Sequence, residues 1–293
     1  MKLFLGGGTG FVGSNLRAAL LERGHKLRLL VHRRHAGIEA EVEQVEGDVT
    51  RLASFAEAVV GCDAAINLVG IIREFPARGI TFEKLHVAAT RNMVDAAKQA
   101  GVRRYLQMSA LGTRPAATSQ YHRTKYRAEE YVRSSGLDWT IFRPSLIYGP
   151  GGEFVTMLAG FIRNLPVVPV IGDGRYRLQP VAVDDVASCF SRALELPETV
   201  GKIYELCGPD CLTYNELLDT IGRVLGRQRV TKLHQPLGLM KLVVPLLQRF
   251  PFFPLTMDQL TMLVEENICS SPWPELFGLT PVPFEEGTRR YLR

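Results

Sequence analysis

Short apolar runs alternate with amphipathic stretches through the first half of the chain. The runs predict buried strands, and the stretches between them carry apolar residues at helical spacing. The predicted strands cover residues 2–5, 26–31, 41–47, 63–70, 104–109 and 138–144, and the predicted helices cover 11–23, 51–60, 81–100 and 119–135. Strands that alternate with helices predict an α/β fold, in which helices cover a doubly wound parallel sheet of the Rossmann type.

The pattern changes after Pro144, where a turn-rich segment leaves the predicted sheet. Residues 151–179 predict a helix and a loop outside the sheet, and residues 178–196 predict a return to it as a strand followed by a helix. From Gly208 onward the pattern is helical and interrupted by prolines. We therefore predict a dinucleotide-binding domain of residues 1–150 with about 178–206, and a smaller, mainly helical C-terminal lobe of residues 151–177 and 207–293.

The motif GGTGFVG spaces Gly7, Gly10 and Gly13 at intervals of three residues, directly after the first predicted strand. Glycines at such a strand–helix junction allow a tight turn and a close approach of the backbone to a pyrophosphate, which binds at the helix N-terminus. A merely tight turn is the alternative interpretation. The motif predicts that a dinucleotide lies against Gly7, Thr9, Gly10, Phe11, Val12 and Gly13.

The end of the second predicted strand bears on the choice between NAD(H) and NADP(H). An acidic residue there would bind the ribose 2′-hydroxyl of NAD. The strand instead ends in LVHRRHAG, which places His32, Arg33 and Arg34 at this end. Because guanidinium groups suit bidentate contacts with a 2′-phosphate, the sequence favours NADP(H) over NAD(H). Two solvated arginines are the alternative interpretation.

Two further strand ends predict contacts with the cofactor. Asp48, followed by Val49, comes directly after the third predicted strand. A carboxylate there can accept a hydrogen bond from the adenine amino group or cap the next helix. The fourth predicted strand ends in NLVG, and we expect Leu68, Val69 and Gly70 to pass beneath the cofactor.

Tyr121 and Lys125 in the segment YHRTK are four residues apart on a predicted helix, so both lie on one face. A nearby ammonium stabilises a tyrosinate and lowers the pKa of the tyrosine. The tyrosine can then exchange a proton with a carbonyl or an alcohol while a hydride moves to or from a nicotinamide. The pair predicts an oxidoreductase in which Tyr121 handles the proton and Lys125 tunes it and binds the ribose.

In order along the chain, GGTGFVG, GDVT, NLVG, the Tyr121 and Lys125 pair, RPSLIYGPG and VAVDDVA resemble the extended or atypical branch of the short-chain dehydrogenase/reductase superfamily. INLVGIIRE, QMSALG, QPVAVDDVA, GPDCLTYNELL and FPLTMDQLTMLVEEN are similar to a subgroup, the accessory Rossmann subunits of respiratory complex I. The resemblance implies NADP(H) binding, and for some relatives a cofactor that is held as a structural element. It also implies that the nicotinamide lies near Met108, Ser109, Pro144, Ser145 and Ile147.

The superfamily also uses a Ser or Thr hydroxyl near the end of the fifth strand. Ser109 lies at this end and is our candidate, and Thr113 is the other, whereas Leu111 occupies the position where extended members carry the hydroxyl. The preceding helix of the superfamily often carries an Asn, which is replaced by His86, either as part of the site or as a hydrogen-bonded helix residue. The resemblance therefore implies cofactor binding more directly than turnover.

The C-terminal segment 235–260 is strongly apolar, with Lys241, Arg249 and Asp258 as its charged residues. It predicts a core and lobe interface, an apolar substrate pocket, or a surface that meets lipid or a partner protein. Such a lobe suits a quinone- or isoprenoid-like substrate better than a sugar nucleotide.

Composition and charge argue against several other classes of protein. The net charge is +5, but the basic residues are spread along the chain, and no basic block with interleaved aromatic residues predicts nucleic-acid binding. The five cysteines match no zinc pattern, so we predict reduced, mostly buried thiols and no metal site. Without a recognisable signal peptide or spanning apolar run, we expect a cytoplasmic protein, with peripheral contact at the inner membrane surface as an open alternative.

Together these residues predict an NADP(H)-dependent oxidoreductase that acts on an apolar carbonyl or alcohol. The first alternative is a non-catalytic, NADP(H)-binding accessory or assembly protein of a respiratory NADH dehydrogenase complex. The second is a sugar-nucleotide epimerase or dehydratase.

Overall fold

The computed structural model describes residues 1–248, 250 and 255–292. The strands are β1 (Lys2–Gly6), β2 (Lys26–Val31), β3 (Glu43–Glu46), β4 (Ala64–Asn67), β5 (Arg104–Met108), β6 (Asp138–Pro144), β7 (Ile147–Tyr148), β8 (Val168–Ile171), β9 (Arg177–Leu178), β10 (Val181–Ala182), β11 (Lys202–Leu206), β12 (Leu212–Thr213) and β13 (Lys232–Gln235). The α-helices are α1 (Phe11–Glu22), α2 (Ala89–Gln99), α3 (Gln120–Arg133), α4 (Glu153–Asn164), α5 (Val183–Ala193), α6 (Tyr214–Val224), α7 (Leu237–Leu247), α8 (Met257–Val264), α9 (Trp273–Phe277) and α10 (Phe284–Arg289).

Seven parallel strands of the described chain form the central sheet, in the order β3-β2-β1-β4-β5-β6-β11. Leu3 and Leu5 of β1 pack with residues of α1 and α5 on one face, and Phe4 packs with residues of α2 on the other. The predicted doubly wound α/β fold is confirmed. In such a sheet, ligands bind at the carboxyl ends of the strands where the order reverses, which here is beside β1.

Several predicted elements differ from the structure. The predicted helix 51–60 consists of two 3-10 turns, Leu52–Ser54 and Ala56–Val59. The strand predicted within 178–196 is the two-residue β10, which pairs with β7 instead of joining the central sheet. The seventh strand of the central sheet, β11, was not predicted from the sequence. It lies at the edge of the sheet, with a strand partner on one side only. Two of its residues are charged, so its sequence contains no apolar run.

A second buried cluster lies outside the central sheet. Its residues come mainly from α4, β8, α6 and α10, and include Leu158, Val170, Leu218 and Phe284. The division into a dinucleotide-binding domain and a C-terminal lobe stays a prediction, because this cluster also includes Tyr148 and Ala182 of the predicted dinucleotide-binding domain. Among the described residues, no helix is both long and apolar enough to cross a membrane.

The fold joins two cysteines that the sequence predicts to be free. Cys207, directly after β11, forms a disulfide with Cys269, so the prediction of reduced thiols is wrong for this pair. Cys62 and Cys189 are buried free thiols, and Cys211 is an exposed one. The pairing could not be read from spacing, because 62 positions separate the bonded cysteines and only the tertiary fold brings them together.

Candidate cofactor and active site

The glycine loop closes tightly between β1 and α1. Gly7 has a φ of +81°, and a Cβ there would lie 2.9 Å from the backbone of Leu68 and Val69. A Cβ on Gly13 would lie 2.3 Å from the Gly7 carbonyl oxygen, which accepts a hydrogen bond from the Gly10 N–H at 3.2 Å. Backbone atoms therefore fill the space that side chains would need at Gly7 and Gly13, which is the reason for glycine at both positions.

The N-terminus of α1 opens toward this loop. Gly10 is the N-cap and offers no side-chain hydrogen bond, and the first turn contains no acidic residue. Thr9 is exposed, Phe11 is half-buried, and the Val12 side chain is buried in the core. Uncapped N–H groups and the helix dipole favour an anion at this point. The loop therefore fits a dinucleotide pyrophosphate, with Val12 able to contribute only its backbone.

Arg17 is a basic residue beneath the loop that the glycine motif does not reveal. It is buried on α1, and its Nη1 donates a hydrogen bond to the Gly8 carbonyl oxygen at 3.0 Å. Its Nε lies 3.2 Å from the Glu39 carboxylate. Arg17 follows Gly13 by one helical turn and lies on the same face of the helix, so helix periodicity could have revealed from the sequence that Arg17 lies near the loop. It positions the loop by holding the Gly8 carbonyl.

We expect Gly13→Ala to weaken NADPH binding roughly tenfold to a hundredfold, which corresponds to about 1–3 kcal/mol for an overpacked contact. The added methyl group would stand 2.3 Å from the Gly7 oxygen, so the loop would have to move away from α1. Calorimetric titration with NADPH measures the effect. Gly160→Ala is the control, because no atom outside the backbone of its own helix and its two chain neighbours lies within 4 Å of the Cβ it adds. Unchanged affinity in a folded Gly13→Ala variant would contradict this account of the loop.

His32, Arg33 and Arg34 are all exposed directly after β2. The Arg34 Nε lies 3.3 Å from the Glu46 carboxylate at the end of β3, and both side chains are mostly in solvent. Such exposed pairs contribute little to stability, so the pair does not tie Arg34 to one position. The arginines stand at the strand end where the sequence predicts the 2′-phosphate, and their role stays a prediction.

Asp48 organises the turn after β3. Its Oδ1 accepts hydrogen bonds from the Thr50 N–H at 2.9 Å and the Thr50 hydroxyl at 2.7 Å, and its Oδ2 accepts one from Arg51 at 3.2 Å. Burial alone would raise the pKa of Asp48, but these hydrogen bonds lower it below the ordinary value. The N-cap alternative is wrong, because the 3-10 turn Leu52–Ser54 begins after Arg51. The adjoining Val49 is half-buried, and adenine contact by Asp48 stays a prediction.

Lys125 lies at the carboxyl ends of β4 and β5. It is buried, and its Nζ donates a hydrogen bond to the Met108 carbonyl oxygen at 3.4 Å. A Cβ on Gly70 would lie 2.9 Å from the same Nζ, so the predicted strand end and the predicted lysine do meet. Burial lowers the pKa of Lys125 to about 8, and the Glu129 carboxylate opposes this shift. Lys125 remains mostly protonated at neutral pH.

Tyr121 lies in the first turn of α3, half-buried. Its ring meets the rings of His86 and Phe82 edge-on, with centroids 5.2 Å and 5.8 Å away. Burial raises the pKa of Tyr121 to about 12. No group among the described residues forms a hydrogen bond with its hydroxyl, which leaves that group available to a ligand. The prediction that Lys125 lowers the pKa of Tyr121 is therefore wrong for this structure, because burial raises that pKa and Lys125 does not offset the rise.

His86 lies within this site on a π-helical turn, Glu83–Ala88, that continues into α2. It is buried, with Nδ1 2.8 Å from the Thr124 hydroxyl and Nε2 3.0 Å from the Ile71 carbonyl oxygen. Burial, reinforced by Lys125, lowers its pKa to about 2, so the imidazole stays neutral. His86 is therefore a hydrogen-bonded helix residue, and its ring also packs against Tyr121. The two alternatives left open by the sequence are compatible with each other.

The two candidate hydroxyls after β5 are neighbours. The Ser109 and Thr113 oxygens lie 3.4 Å apart, and both residues are buried. Leu111 between them is buried too, and its N–H donates to the Pro144 carbonyl oxygen. The loop therefore curls back as the Thr113 alternative requires, and the structure brings both hydroxyls to one place. Met108 before them is half-buried.

The segment after β6 is held by the strands around it. The Ser145 hydroxyl donates to the Gln179 carbonyl oxygen at 2.5 Å, and the Ser145 N–H donates to Leu206. Pro144 ends β6, and Ile147 begins β7 beside β10. Because its hydroxyl and its N–H both have protein partners, Ser145 can offer a ligand little beyond its shape. Cofactor contact by Pro144, Ser145 and Ile147 stays a prediction.

Helix α8 reaches the site from the C-terminal part of the chain. The two Asp258 carboxylate oxygens accept hydrogen bonds from the N–H groups of Gln120 and Tyr121, at 3.2 Å and 3.1 Å. Beyond the other end of α8, Glu265 pairs with Arg114 at 3.1 Å. A carboxylate at the N-terminus of α3 is favoured by the helix dipole. Sequence reasoning missed this contact, because Asp258 and Tyr121 are far apart in the chain.

A buried ion pair lies behind Lys125 on α3. Arg143 binds the fully buried Glu129 carboxylate through two hydrogen bonds, of 2.9 Å and 2.6 Å. A third, longer contact of 3.7 Å joins Arg143 to Glu205 on β11. The pair fixes α3 against β6 and thereby fixes the position of Lys125, four residues before Glu129.

A family model described as NAD(P)H-binding matches residues 7–160, from the glycine loop into α4. The chain belongs to this NAD(P)H-binding family. This membership and the relatives below confirm the resemblance drawn from the sequence motifs, and they leave NAD and NADP undistinguished.

Two relatives show the range of the family. Subunit 9 of the NADH dehydrogenase (ubiquinone) 1 alpha subcomplex of Arabidopsis thaliana mitochondria is 32% identical over 224 residues, which is 73% of this chain. The chain spans only 55% of that relative's length. A protein named ceramide reductase from Caulobacter vibrioides is 29% identical over 236 residues, 78% of this chain and 73% of that protein.

Solved structures share the whole fold. A UDP-glucose 4-epimerase from Thermotoga maritima superimposes with a TM-score of 0.78 at 18% identity, covering 100% of this chain and 97% of that one. At this identity the likeness shows the fold alone. The site residues described above therefore have to carry any functional argument by their own chemistry.

Proposed function

We propose that this protein is an NADP(H)-dependent oxidoreductase that reduces an apolar carbonyl compound or oxidises the corresponding alcohol. The observation that carries the proposal is the placement of Tyr121 and Lys125 on one face of α3, with Lys125 against the ends of β4 and β5. A bound nicotinamide would supply or accept the hydride. Gly7, Gly10 and Gly13 would hold its pyrophosphate, and Lys125 would hold its ribose.

Tyr121 exchanges the proton in this proposal. In the direction of reduction, its hydroxyl donates a proton to the carbonyl oxygen as hydride adds to the carbon, which leaves a tyrosinate. Burial raises the pKa of Tyr121 to about 12, so in this proposal the tyrosinate depends on the ammonium of Lys125, one helical turn further along α3. Ser109 or Thr113 would orient the substrate oxygen. His86 stays neutral, so it confines the Tyr121 ring without adding a competing positive charge.

An apolar substrate is supported by the chain that adjoins the site. Helix α8, which contacts α3 through Asp258, is built largely from methionine, leucine and valine. A relative named ceramide reductase is consistent with an apolar substrate class. Quinone- or isoprenoid-like carbonyl compounds fit such surroundings, and a sugar nucleotide would find fewer polar partners.

NADP(H) is the proposed cofactor because two exposed arginines follow β2. We expect wild type to bind NADPH more tightly than NADH. Arg33→Ala should weaken NADPH binding about tenfold while NADH binding stays within about twofold of wild type. The reason is that only NADPH has the 2′-phosphate that a guanidinium binds. Calorimetric titration of both cofactors measures this. Arg229→Ala, which removes an exposed arginine of the C-terminal part, is the control. Tighter binding of NADH by wild type would overturn the choice of NADP(H).

A second candidate function is a cofactor-binding accessory or assembly protein of a respiratory NADH dehydrogenase complex, peripheral to the inner membrane surface. The mitochondrial relatives favour it, as does Leu111 at the position where a catalytic hydroxyl is expected. A cofactor bound only to the folded state would then stabilise the fold by linkage. Turnover separates the two candidates, because the accessory function does not require the Tyr121 hydroxyl.

A further inference from the structure

Helix α7 exposes three of its leucines to solvent. Leu239, Leu242 and Leu246 are 53%, 69% and 64% exposed, although burial normally drives leucines inward. Within the helix only Val244 is buried. Burial of these three leucines therefore contributes little to the stability of the fold. An exposed apolar patch of this kind indicates an interaction surface.

The chain around α7 carries only positive charges. Residues 220–257 contain Arg223, Arg227, Arg229, Lys232, Lys241 and Arg249 but no Asp or Glu, and two of these cations pair with acids outside the segment, Arg223 with Glu285 and Lys232 with Asp219. Lys241 lies on α7 itself between the exposed leucines, and Arg229 is exposed just before β13. Neither forms an ion pair with any described residue. An apolar helix face that carries an unpaired cation is complementary to a surface that is apolar inside and anionic outside.

A second segment extends this face. The Arg73 guanidinium donates a hydrogen bond to the Gln248 carbonyl oxygen at 3.4 Å, which holds the loop after β4 against the end of α7. In that loop Ile72 and Phe75 are exposed, and the exposed Arg78 guanidinium lies 5.9 Å from the Phe75 ring centroid. We call α7 together with residues 72–78 the α7 face. In both segments exposed apolar side chains lie beside cations, and the one acid of the second segment, Glu74, is half-buried and accepts a hydrogen bond from the Phe82 N–H at 2.7 Å.

We propose that the α7 face docks on a lipid bilayer with anionic headgroups. Leucines and an aromatic ring that enter the headgroup region gain burial, and lysine and arginine side chains at the same level pair with lipid phosphates. A protein partner would ordinarily be met by exposed charges of both signs, whereas the exposed charged side chains of the α7 face, Lys241 and Arg78, are both cations. Contact through a face of this kind is peripheral, in agreement with the absence of a spanning helix among the described residues.

Docking would also place the proposed active site beside the lipid. The Gln248 side chain at the end of α7 accepts a hydrogen bond from the Met257 N–H at 3.0 Å, and the next residue, Asp258, holds the N-terminus of α3 at Tyr121. The α7 face and the Tyr121 site thus both contact residues at the start of α8, and Ile71, next to the second segment of the face, contacts His86 of that site. This consequence rests on the proposed function, but the docking itself does not, and it is measured without any turnover.

Vesicle flotation of the full chain tests the docking. Vesicles of phosphatidylcholine with one third phosphatidylglycerol are compared with vesicles of phosphatidylcholine alone, at low and at high salt. We expect binding to the anionic vesicles that is at least about fivefold stronger than to the neutral ones and is weakened by salt, since each cation near the surface contributes about this factor. No flotation of wild type, or equal flotation with both vesicles, would overturn the proposal.

Variants connect the binding to the face. Leu242→Glu should weaken vesicle binding at least about tenfold, and Lys241→Glu at least about fivefold, without loss of NADPH affinity or melting temperature, because neither side chain is buried. Leu165→Glu, at an exposed leucine beyond α4, is the matched control and should bind as wild type does. Equal losses in all three variants would overturn the proposal. So would a dimer in light scattering that Leu242→Glu dissociates, since the face would then join two copies of the chain.

Discussion

Replacing Tyr121 with Phe is expected to lower the rate of carbonyl reduction about a hundredfold to ten-thousandfold while leaving NADPH affinity within about twofold of wild type. The phenylalanine keeps the edge-on contacts with His86 and Phe82 and removes only the hydroxyl that donates the proton. That hydroxyl has no hydrogen-bond partner among the described residues, so its loss leaves no buried group unpaired. The rate is measured by NADPH oxidation with long-chain ketones and hydrophobic quinones, and the affinity by calorimetry.

Tyr126→Phe is the matched control for this experiment. Tyr126 lies on the same helix, half-buried, with its ring under the Arg133 guanidinium, and its turnover should equal that of wild type. Full turnover by Tyr121→Phe would remove Tyr121 from the proposed mechanism. A wild type that binds NADPH but oxidises none with any member of the panel, together with a Tyr121→Phe variant that keeps the cellular function, would favour the accessory candidate.

Replacing Arg143 with Met is expected to lower the free energy of unfolding by about 3–5 kcal/mol, the range for breaking a buried ion pair at one partner. The methionine fills a similar volume, but the Glu129 carboxylate is fully buried and would lose both of its guanidinium hydrogen bonds. An unpaired buried carboxylate has lost its hydration without any compensation. Guanidinium chloride unfolding followed by circular dichroism measures the change.

The chain offers a control with the same chemistry in solvent. Arg103 and Asp138 also form a bidentate pair, with both hydrogen bonds 3.1 Å long, but both side chains are exposed. Arg103→Met should therefore cost less than about 1 kcal/mol. The double variant Arg143→Met with Glu129→Leu should regain most of the loss, because no buried charge remains. Similar losses for Arg103→Met and Arg143→Met would show that burial does not set the contribution of the pair.

Features that depend on neighbours in sequence were predictable. Strands β1, β2, β4, β5 and β6 follow from apolar runs and β3 from Val42 and Val45, and the glycines of the loop follow from a motif whose geometry is complete within a few residues. Tyr121 and Lys125 were found for the same reason, since one helical turn places both on one face of α3. In each case the physical constraint acts over at most a few helical turns or one strand.

Other features have no such local signal. Edge strand β11 carries charged residues, and the 3-10 turns at 52–59 have apolar positions that also fit a helix. In both segments the secondary structure depends on packing against the rest of the sheet. The role of residues 235–260 was open for the same reason: the sequence shows that α7 is apolar, and only the fold shows that Leu242 and Leu246 remain exposed.

The sequence by itself therefore determined the parallel α/β fold, the glycine loop and the Tyr121 and Lys125 pair. The tertiary structure alone decided what surrounds them: Asp258 on the N-terminus of α3, Arg143 on Glu129, His86 beside Tyr121, and the bond between Cys207 and Cys269. The physical reason is the range of the interactions. Helix and strand periodicity and glycine conformations act between near neighbours in the chain, whereas burial, ion pairing and the shift of a pKa depend on atoms that only folding brings together.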